Sequence, residues 1–483
     1  MIERVEPDFL LNAPREELVK FVYELLNENK ELYSKIETMT DEITEIKARL
    51  NKDSHNSSKP PSSDGYKKPS PKSSREKGVN PIGGKSGHKG ATLRFAQATE
   101  PPINHEPISQ CECGCSLENV EVAVGERRQV HDIPPQKLII TNHQSIIKRC
   151  PGCGKIHRGA FPKGITQPVQ YGEKIKALIV YLSIQNLIPL RRASQIVRDL
   201  FGGSFSEPTI LSAVRNCAEA LKFTNEQIKQ GLINSPVAHF DETGLRINNG
   251  LDWLHSASNK SLTYYFTHEK RGNDAIDDLG ILTAFKGIAV HDFWKSYFKY
   301  DCEHALCNAH LLRELTAIDE NYKQAWAPKM KKLLLDIKAA VDADRQKGLN
   351  ELDASVILDF ETRYQENLNL AFRENPEVLK SGKRGRPKQT VGRNLALRFD
   401  QYRVQILRFM RNFTVPFDNN RAEGDIRMMK VRQKVSGCFR TSEGAKDFCA
   451  IRGYLSTMRK QGHNALDVLV AVFRKQILIP KLA

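Results

Sequence analysis

No stretch of this sequence stays apolar for the roughly 20 residues needed to cross a bilayer. The most apolar run, IKALIVYLSIQNLIPL, is shorter and carries Lys176, Gln185 and Asn186. The start, MIERVEPDFL, lacks the basic region and apolar core of a signal peptide. These absences predict a cytoplasmic protein with no membrane partner. Thiols stay reduced in that compartment, so the ten cysteines are not expected in structural disulfides, and clustered ones point to metal. Acidic residues are also in short supply: 57 Asp and Glu stand against 73 Lys and Arg, for a formal net charge of +16. A pI near 9.3 favours a polyanionic partner, with nucleic acid the common case and an anionic membrane surface the alternative. A chain of 483 residues exceeds a single core, so roughly three domains are expected.

Residues 1–50 read as a coiled-coil helix. Leu18, Leu25, Leu32, Met39 and Ile46 recur every seven residues, interleaved with Val22, Asn29, Ile36, Ile43 and Leu50. The spacing makes the first series d and the second a. Leu at d with β-branched residues at a favours two parallel strands, and one Asn at a fixes register. A homodimer or larger homo-oligomer follows; a single amphipathic helix packed on its own chain is the alternative. Residues 51–100 are rich in Ser, Pro, Gly and Lys with hardly any apolar residues. They read as a basic disordered linker that touches phosphates. GGKSG within it is not a nucleotide loop, because Val79 stands where the motif needs Gly and no apolar strand precedes it.

Residues 101–164 read as a zinc-binding module. Cys150 and Cys153 in CPGCG form a turn in which two thiolates meet one ion and Gly takes the tight backbone angle. Upstream, CECGC offers Cys111, Cys113 and Cys115. Two such clusters suggest a four-thiolate structural Zn²⁺ site. Cys111 and Cys113 are the expected upstream pair, one residue short of the usual spacing, with Cys115 in reserve. Residues 165–230 read as a helical, helix-turn-helix-like domain. In RRASQIVRDLFGGSFSEPTILSAVRN, an apolar face of Ala193, Ile196, Val197 and Leu200 is followed by a Gly202–Gly203 break and a cap at Ser206. The second helix then suits a major groove, with Arg191 and Arg192 as DNA contacts; an ordinary αα-hairpin has the same pattern.

The chemistry lies further on. SPVAHFDETGLRI reads as a strand with Val237, His239 and Asp241 on one face and Glu242 on the other. Two short strands, LDWLHSAS and LTYYFTHE, a helix at NDAIDDLGIL, and a buried strand in KGIAVHDFWKSY follow, with Asp292 ending the last strand as Asp241 ends the first. Strands and helices in that order predict a mixed sheet with helices on its faces. Parallel neighbours lie about 4.8 Å apart, so Asp241 and Asp292 can reach one cation. A third carboxylate is sought in VPFDNNRAEGDIRMMKVRQK, where Asp418 suits a helix N-cap and Ala422, Ile426 and Met429 form the apolar stripe. Glu423, Arg427, Lys430 and Lys434 fall on another stripe, an acid heading a basic ridge that suits a metal ligand beside a phosphate track. An exposed Glu423–Arg427 pair worth about 0.3–0.5 kcal/mol is the alternative.

HFDETG, VHDFWKSY, HALCNAHLLREL and VPFDNNRAEGDIRMMKVRQKVSGCFRT together resemble the DDE transposases of the insertion-sequence-66 family, as do NSSKPPSSDG, GGKSGHKG and the cysteine knuckle. The resemblance implies a multidomain α+β chain whose centre is an RNase H-like mixed-sheet catalytic core, in two parts at 231–319 and 405–462. A helical insertion at 320–404 separates the parts, and a helical tail at 463–483 closes the chain. It implies an acidic triad of Asp241, Asp292 and Glu423 holding Mg²⁺ or Mn²⁺, used to cleave and join double-stranded DNA at element ends and target. Arg427, Lys430, Arg432 and Lys434 then steady the DNA backbone, His310 lies near the scissile phosphate, and companion proteins of the same element are among the implied partners. The family usually has Arg after the catalytic Glu, where this chain has Gly424. Gly385-Arg386-Pro387 resembles a minor-groove hook, although a basic inter-helix loop is the simpler reading. His304 and His310 flank Cys307, but a metal at Cys307 is not the favoured reading. The rivals are a non-catalytic zinc-containing DNA-binding regulator and an RNase H-like nuclease that never joins strands.

Overall fold

The computed structural model describes residues 14–57, 93–203, 205–379 and 387–482. Most of the expected linker (residues 58–92) and two residues of the hook-like triplet, Gly385 and Arg386, lie outside them. The heptad segment is one continuous helix, α1 (Arg15–Leu50). Its stripe is largely bare: Leu32, Ile36, Met39, Ile43 and Ile46 are exposed. Its C-terminal end is tied down. Lys388 pairs with Glu45 at 2.9 Å, and Asn56, in the turn that follows, donates to Glu320 at 3.4 Å. No helix among the described residues is long and apolar enough to cross a membrane.

Residues 93–172 hold little regular structure beyond a small hairpin, β1 (Ile147–Arg149) with β2 (Ile156–Arg158). The helical region follows as α2 (Glu173–Val180), a π-helical turn at Tyr181–Gln185, α3 (Leu190–Phe201), α4 (Glu207–Ala220) and α5 (Lys222–Ile233). The break falls where the glycines stand: Gly202 caps α3 at φ 72°, and the Ser206 hydroxyl caps α4 by accepting from Thr209 N. Ala193 and Val197 are buried, but Leu200, in the last turn of α3, is exposed.

The central sheet has five strands in the order β5-β4-β3-β6-β7. They are β3 (Val237–Ile247), β4 (Gly250–Ser258), β5 (Thr263–His268), β6 (Ile288–His291) and β7 (Glu303–Leu306). The first three form an antiparallel meander. After the crossover helix α6 (Asn273–Leu279), β6 and β7 run parallel to β3. All four residues of β6 are buried, as expected for a short parallel strand covered on both faces. Gly287 permits its entry, since a Cβ there would stand 2.5 Å from Ser235 O and 2.6 Å from Pro236 O.

Helices α7 (Asn308–Tyr322), α8 (Trp326–Gln346), α9 (Ala354–Glu374), α10 (Val391–Gln401) and α11 (Arg403–Arg411) come next. Their apolar faces join Val290, Ala305 and Leu306 in a core at the β6–β7 side. The chain then returns as α12 (Asn420–Ser436), α13 (Ser442–Lys460) and α14 (Ala465–Phe473), which share a second core with α2–α5 and the meander. The helical insertion therefore packs beside the sheet and leaves α12 free to lie across β3.

Candidate active site

Register brings the acids together. The parallel pairing of β3 with β6 reaches His239 opposite Val290. The next positions of the same face are Asp241 and Asp292. β6 pairs with β7 up to His291 opposite Leu306, which puts Cys307 level with Asp292. The sequence placed Asp241 at a strand end. Instead, β3 continues to Ile247, paired antiparallel with β4 through Ile247 and Gly250. Asp241 thus marks a fork where β3 leaves β6 and goes on as a hairpin. Asp241 Oδ1 accepts from Glu242 N at 2.9 Å, and Asp292 Oδ1 accepts from Trp294 N at 2.9 Å.

Charge is concentrated at the fork. Burial raises the Asp241 carboxyl well above the usual range, and the neighbouring carboxylates of Glu242, Asp292 and Glu423 add to the shift. Glu242, on the other face, is also raised by burial and by Asp292. It is held by Tyr297, whose hydroxyl donates at 2.6 Å, and by Arg271 at 2.6 and 3.0 Å. The Arg271 guanidinium lies 4.9 Å from the Trp253 ring centre and 4.6 Å from that of Trp294.

The third acid arrives on α12. The sequence made Asp418 the N-cap, but Asn419 takes that position, and Asp418 Oδ1 receives Asn420 N at 3.1 Å. The Asn419 side chain does not cap its own helix. Its Nδ2 donates to Phe240 O at 2.9 Å, and its Oδ1 meets His239 Nδ1 at 2.8 Å. With the amide nitrogen spent on Phe240, Oδ1 is the acceptor and His239 carries its proton on Nδ1. Burial pulls His239 down to about 4, so it is neutral near pH 7. The Asn419 backbone N–H points at Cys307 Sγ, 3.2 Å away. One residue thus pins the start of α12 to β3 and to the end of β7. Glu423 follows one turn later, its N–H bonded to Asn419 O at 3.2 Å. Its carboxylate lies 3.8 Å from His310 Nδ1 and 3.8 Å from Arg313 Nη2. No Glu423–Arg427 pair forms among the described residues.

Of the four basic side chains expected on the DNA backbone, two are exposed. Arg427 and Lys434 are exposed. Lys430 turns inward and donates to Gly244 O at 3.0 Å. Arg432 lies 3.4 Å from the centre of the Phe439 ring and donates to Gly437 O at 3.1 Å; burial lowers it to about 10. These two side chains hold α12 to its surroundings. Arg191 and Arg192 are exposed at the start of α3. His304 turns away from His310 and pairs with buried His291 at 3.0 Å.

The cysteines form two separate turns. Gly154 takes φ 72° after Cys153 and Gly114 takes φ 88° after Cys113. Backbone N–H groups of Cys153 and Gly152 hold the Cys150 thiol below its ordinary value, and the Cys115 N–H does the same for Cys113. The set of three or more metal-ligand types that comes within 4.8 Å among the described residues is a different one, Cys307, His310 and Glu423.

Sequence reasoning overlooked Asn419, Arg271, Arg313 and Tyr297. Asp418, Asn419 and Asn420 are all good cap formers, so local preference could not choose among them. Arg271 and Tyr297 belong to the site only through strand order.

A mixed sheet with acids gathered at a fork beneath an acid-bearing helix suits an enzyme acting on a polyanion. Residues 168–447, more than half of the chain, match the model of the family described as Transposase IS66 family. The chain is therefore a nucleic-acid-processing enzyme of the transposase class, and it belongs to the IS66 transposase family. Residues 7–94 match a family of unknown function. No curated protein matches the chain.

Proposed function

We propose that this transposase cuts and joins DNA through Asp241, Asp292 and Glu423 on an RNase H-like core. The observation that carries the reading is the fork: two aspartates level on adjacent parallel strands, with Asp241 raised by burial and by three neighbouring carboxylates, Glu423 among them. Buried like charges at this density are costly unless a cation or proton offsets them. The donors are all oxygen at Asp241 and Asp292, which fits Mg²⁺ or Mn²⁺. When bound, such ions polarise the phosphate and lower the pKa of the attacking water. Asp241 and Asp292 would hold the cation, with Glu423 as the third carboxylate. Water opens a phosphodiester at the element end, and the freed 3′-hydroxyl then attacks target DNA.

Of the expected DNA contacts, Arg427, Lys434, Arg191 and Arg192 are exposed and available to phosphates. His310 and Arg313 each stand 3.8 Å from Glu423, and His310 is the residue we assign near the scissile phosphate. The two cysteine turns supply N–H donors to sulfur that favour thiolates, which supports a structural Zn²⁺ at Cys111, Cys113, Cys150 and Cys153. The bare stripe of α1 supports pairing with a second copy.

The test is nicking and joining of an end-containing duplex with Mg²⁺ or Mn²⁺, comparing the protein with Asp241→Asn. Metal-dependent nicking and joined products, both lost in the variant, are expected. Equal products from the variant, or none from either, would favour a DNA-binding regulator. Nicks without joined products would favour a plain nuclease.

A further inference from the structure

Two buried polar atoms face each other near the fork without partners. His310 Nδ1 and Glu423 Oε1 are both buried, and neither has a hydrogen bond. They lie 3.8 Å apart, too far for a direct hydrogen bond. Cys307 Sγ joins them, with all three ligand atoms within 4.8 Å of one another. Each is placed by the fold and not by chance rotamers. Cys307 follows β7 at the level of Asp292, His310 sits on the first turn of α7, and Glu423 hangs from the helix that Asn419 pins to Cys307.

We infer that Cys307, His310 and Glu423 form a three-donor site for one borderline-soft divalent cation, of the Zn²⁺ or Co²⁺ class. Tetrahedral Zn²⁺ with sulfur at ~2.3 Å and nitrogen or oxygen at ~2.1 Å sets ligand–ligand distances of roughly 3.4–3.6 Å. The observed 3.8 Å closes to this with a small side-chain shift. A thiolate, an imidazole and a carboxylate suit a softer ion than Mg²⁺, which prefers oxygen alone. Three protein donors leave a fourth position open to water. A thiolate and a carboxylate together balance the charge of a divalent ion.

One neighbour acts on this site. Arg313 stands 3.8 Å from the other Glu423 oxygen and competes for the carboxylate. An ion held here ties Glu423 toward α7. On the triad reading proposed above, that occupation withdraws the third acid and opposes Mg²⁺-driven cleavage; the binding itself does not depend on that reading.

The test is a Co²⁺ titration of the full chain, read by sulfur-to-cobalt charge-transfer absorption and by stoichiometry. The cysteine turns contribute a background, so the readout is the difference between proteins. Relative to the parent, Cys307→Ser should lose one equivalent of Co²⁺ and the matching part of the absorption. Glu423→Gln should weaken the same equivalent by about tenfold or more, while Asp241→Asn should leave it in place. Because Cys307 is buried, the partly exposed His310→Gln serves as a second variant with the same expected weakening. Unchanged stoichiometry and spectra in Cys307→Ser, Glu423→Gln and His310→Gln would overturn the site. In a parallel arm, Zn²⁺ should inhibit Mg²⁺-driven nicking. If the cobalt result holds and no nicking occurs with any metal, the cleavage reading falls and this site stands.

Discussion

Asp241 concentrates the physical tension of this molecule. Its carboxyl is raised by burial and by other acids, so the folded state binds a proton there more tightly than the unfolded chain does. Stability from that group is fully present below the ordinary aspartate range, near pH 4, and is lost as pH rises through the raised value. Asp241→Asn removes the tension. Without metal, its Tm should exceed the parent's by roughly 2–4 °C at neutral pH, as ~1 kcal/mol gives in a sizeable domain. The difference should shrink toward zero as pH falls to about 4, and thermal melts in chelator across that range check it. His239 and His291, both lowered by burial, titrate alike in the two proteins and cancel in the comparison. Gly424 gives a second residue-level prediction. It lies inside α12 with open space where a Cβ would go, so Gly424→Ala should stabilise the chain by about 1 kcal/mol, read by chemical denaturation. Asp241 and Asp292 were legible in the sequence because they lie on or just after apolar strands, whereas Glu423 was singled out only through the family resemblance. Their charge environment was not, since it depends on Glu242 and Asp292 meeting around a fork that no local pattern marks.

At the level of elements, α12 is set by Asn419 more than by its own cap. A residue in the N-cap position that spends its side chain on another strand breaks the local capping rule, and such breaks cluster where function needs position over stability. Asn419→Ala would leave His239 Nδ1 and Phe240 O buried without partners. It should cost about 1–3 kcal/mol. It should also lower kcat for nicking by about tenfold or more while KM for DNA stays near the parent value. Denaturant melts and steady-state nicking separate the two effects. The strands and helices of the core were largely readable, from the alternation in HFDETG to the glycine break after Phe201. What failed did so for physical reasons. Lys430 kept helical spacing with Glu423 and Arg432 was expected on the DNA backbone, but the hairpin extension of β3 and the aromatic Phe439 gave them protein partners. The triplet Asp418-Asn419-Asn420 offered three caps, and only the packed sheet chose among them.

For the molecule as a whole, α1 leaves its heptad stripe exposed along most of its length while its end is tethered to α7. That stripe predicts self-association, and two charges on it should abolish pairing. Leu32→Glu with Ile36→Glu should convert the oligomer to monomer in sedimentation while leaving the melting of the core unchanged. The heptads were plain in the sequence, whereas the packing of the insertion beside β6 and β7 was not, because amphipathic helices do not name the face they will cover. The central claim concerns the fork, and one measurement reaches it directly. Anomalous diffraction from crystals soaked in Mn²⁺ should give a peak bound by both Asp241 and Asp292 at about 2.0–2.3 Å. A peak elsewhere, with those two carboxylates parted and bare at saturating Mn²⁺, would contradict the account.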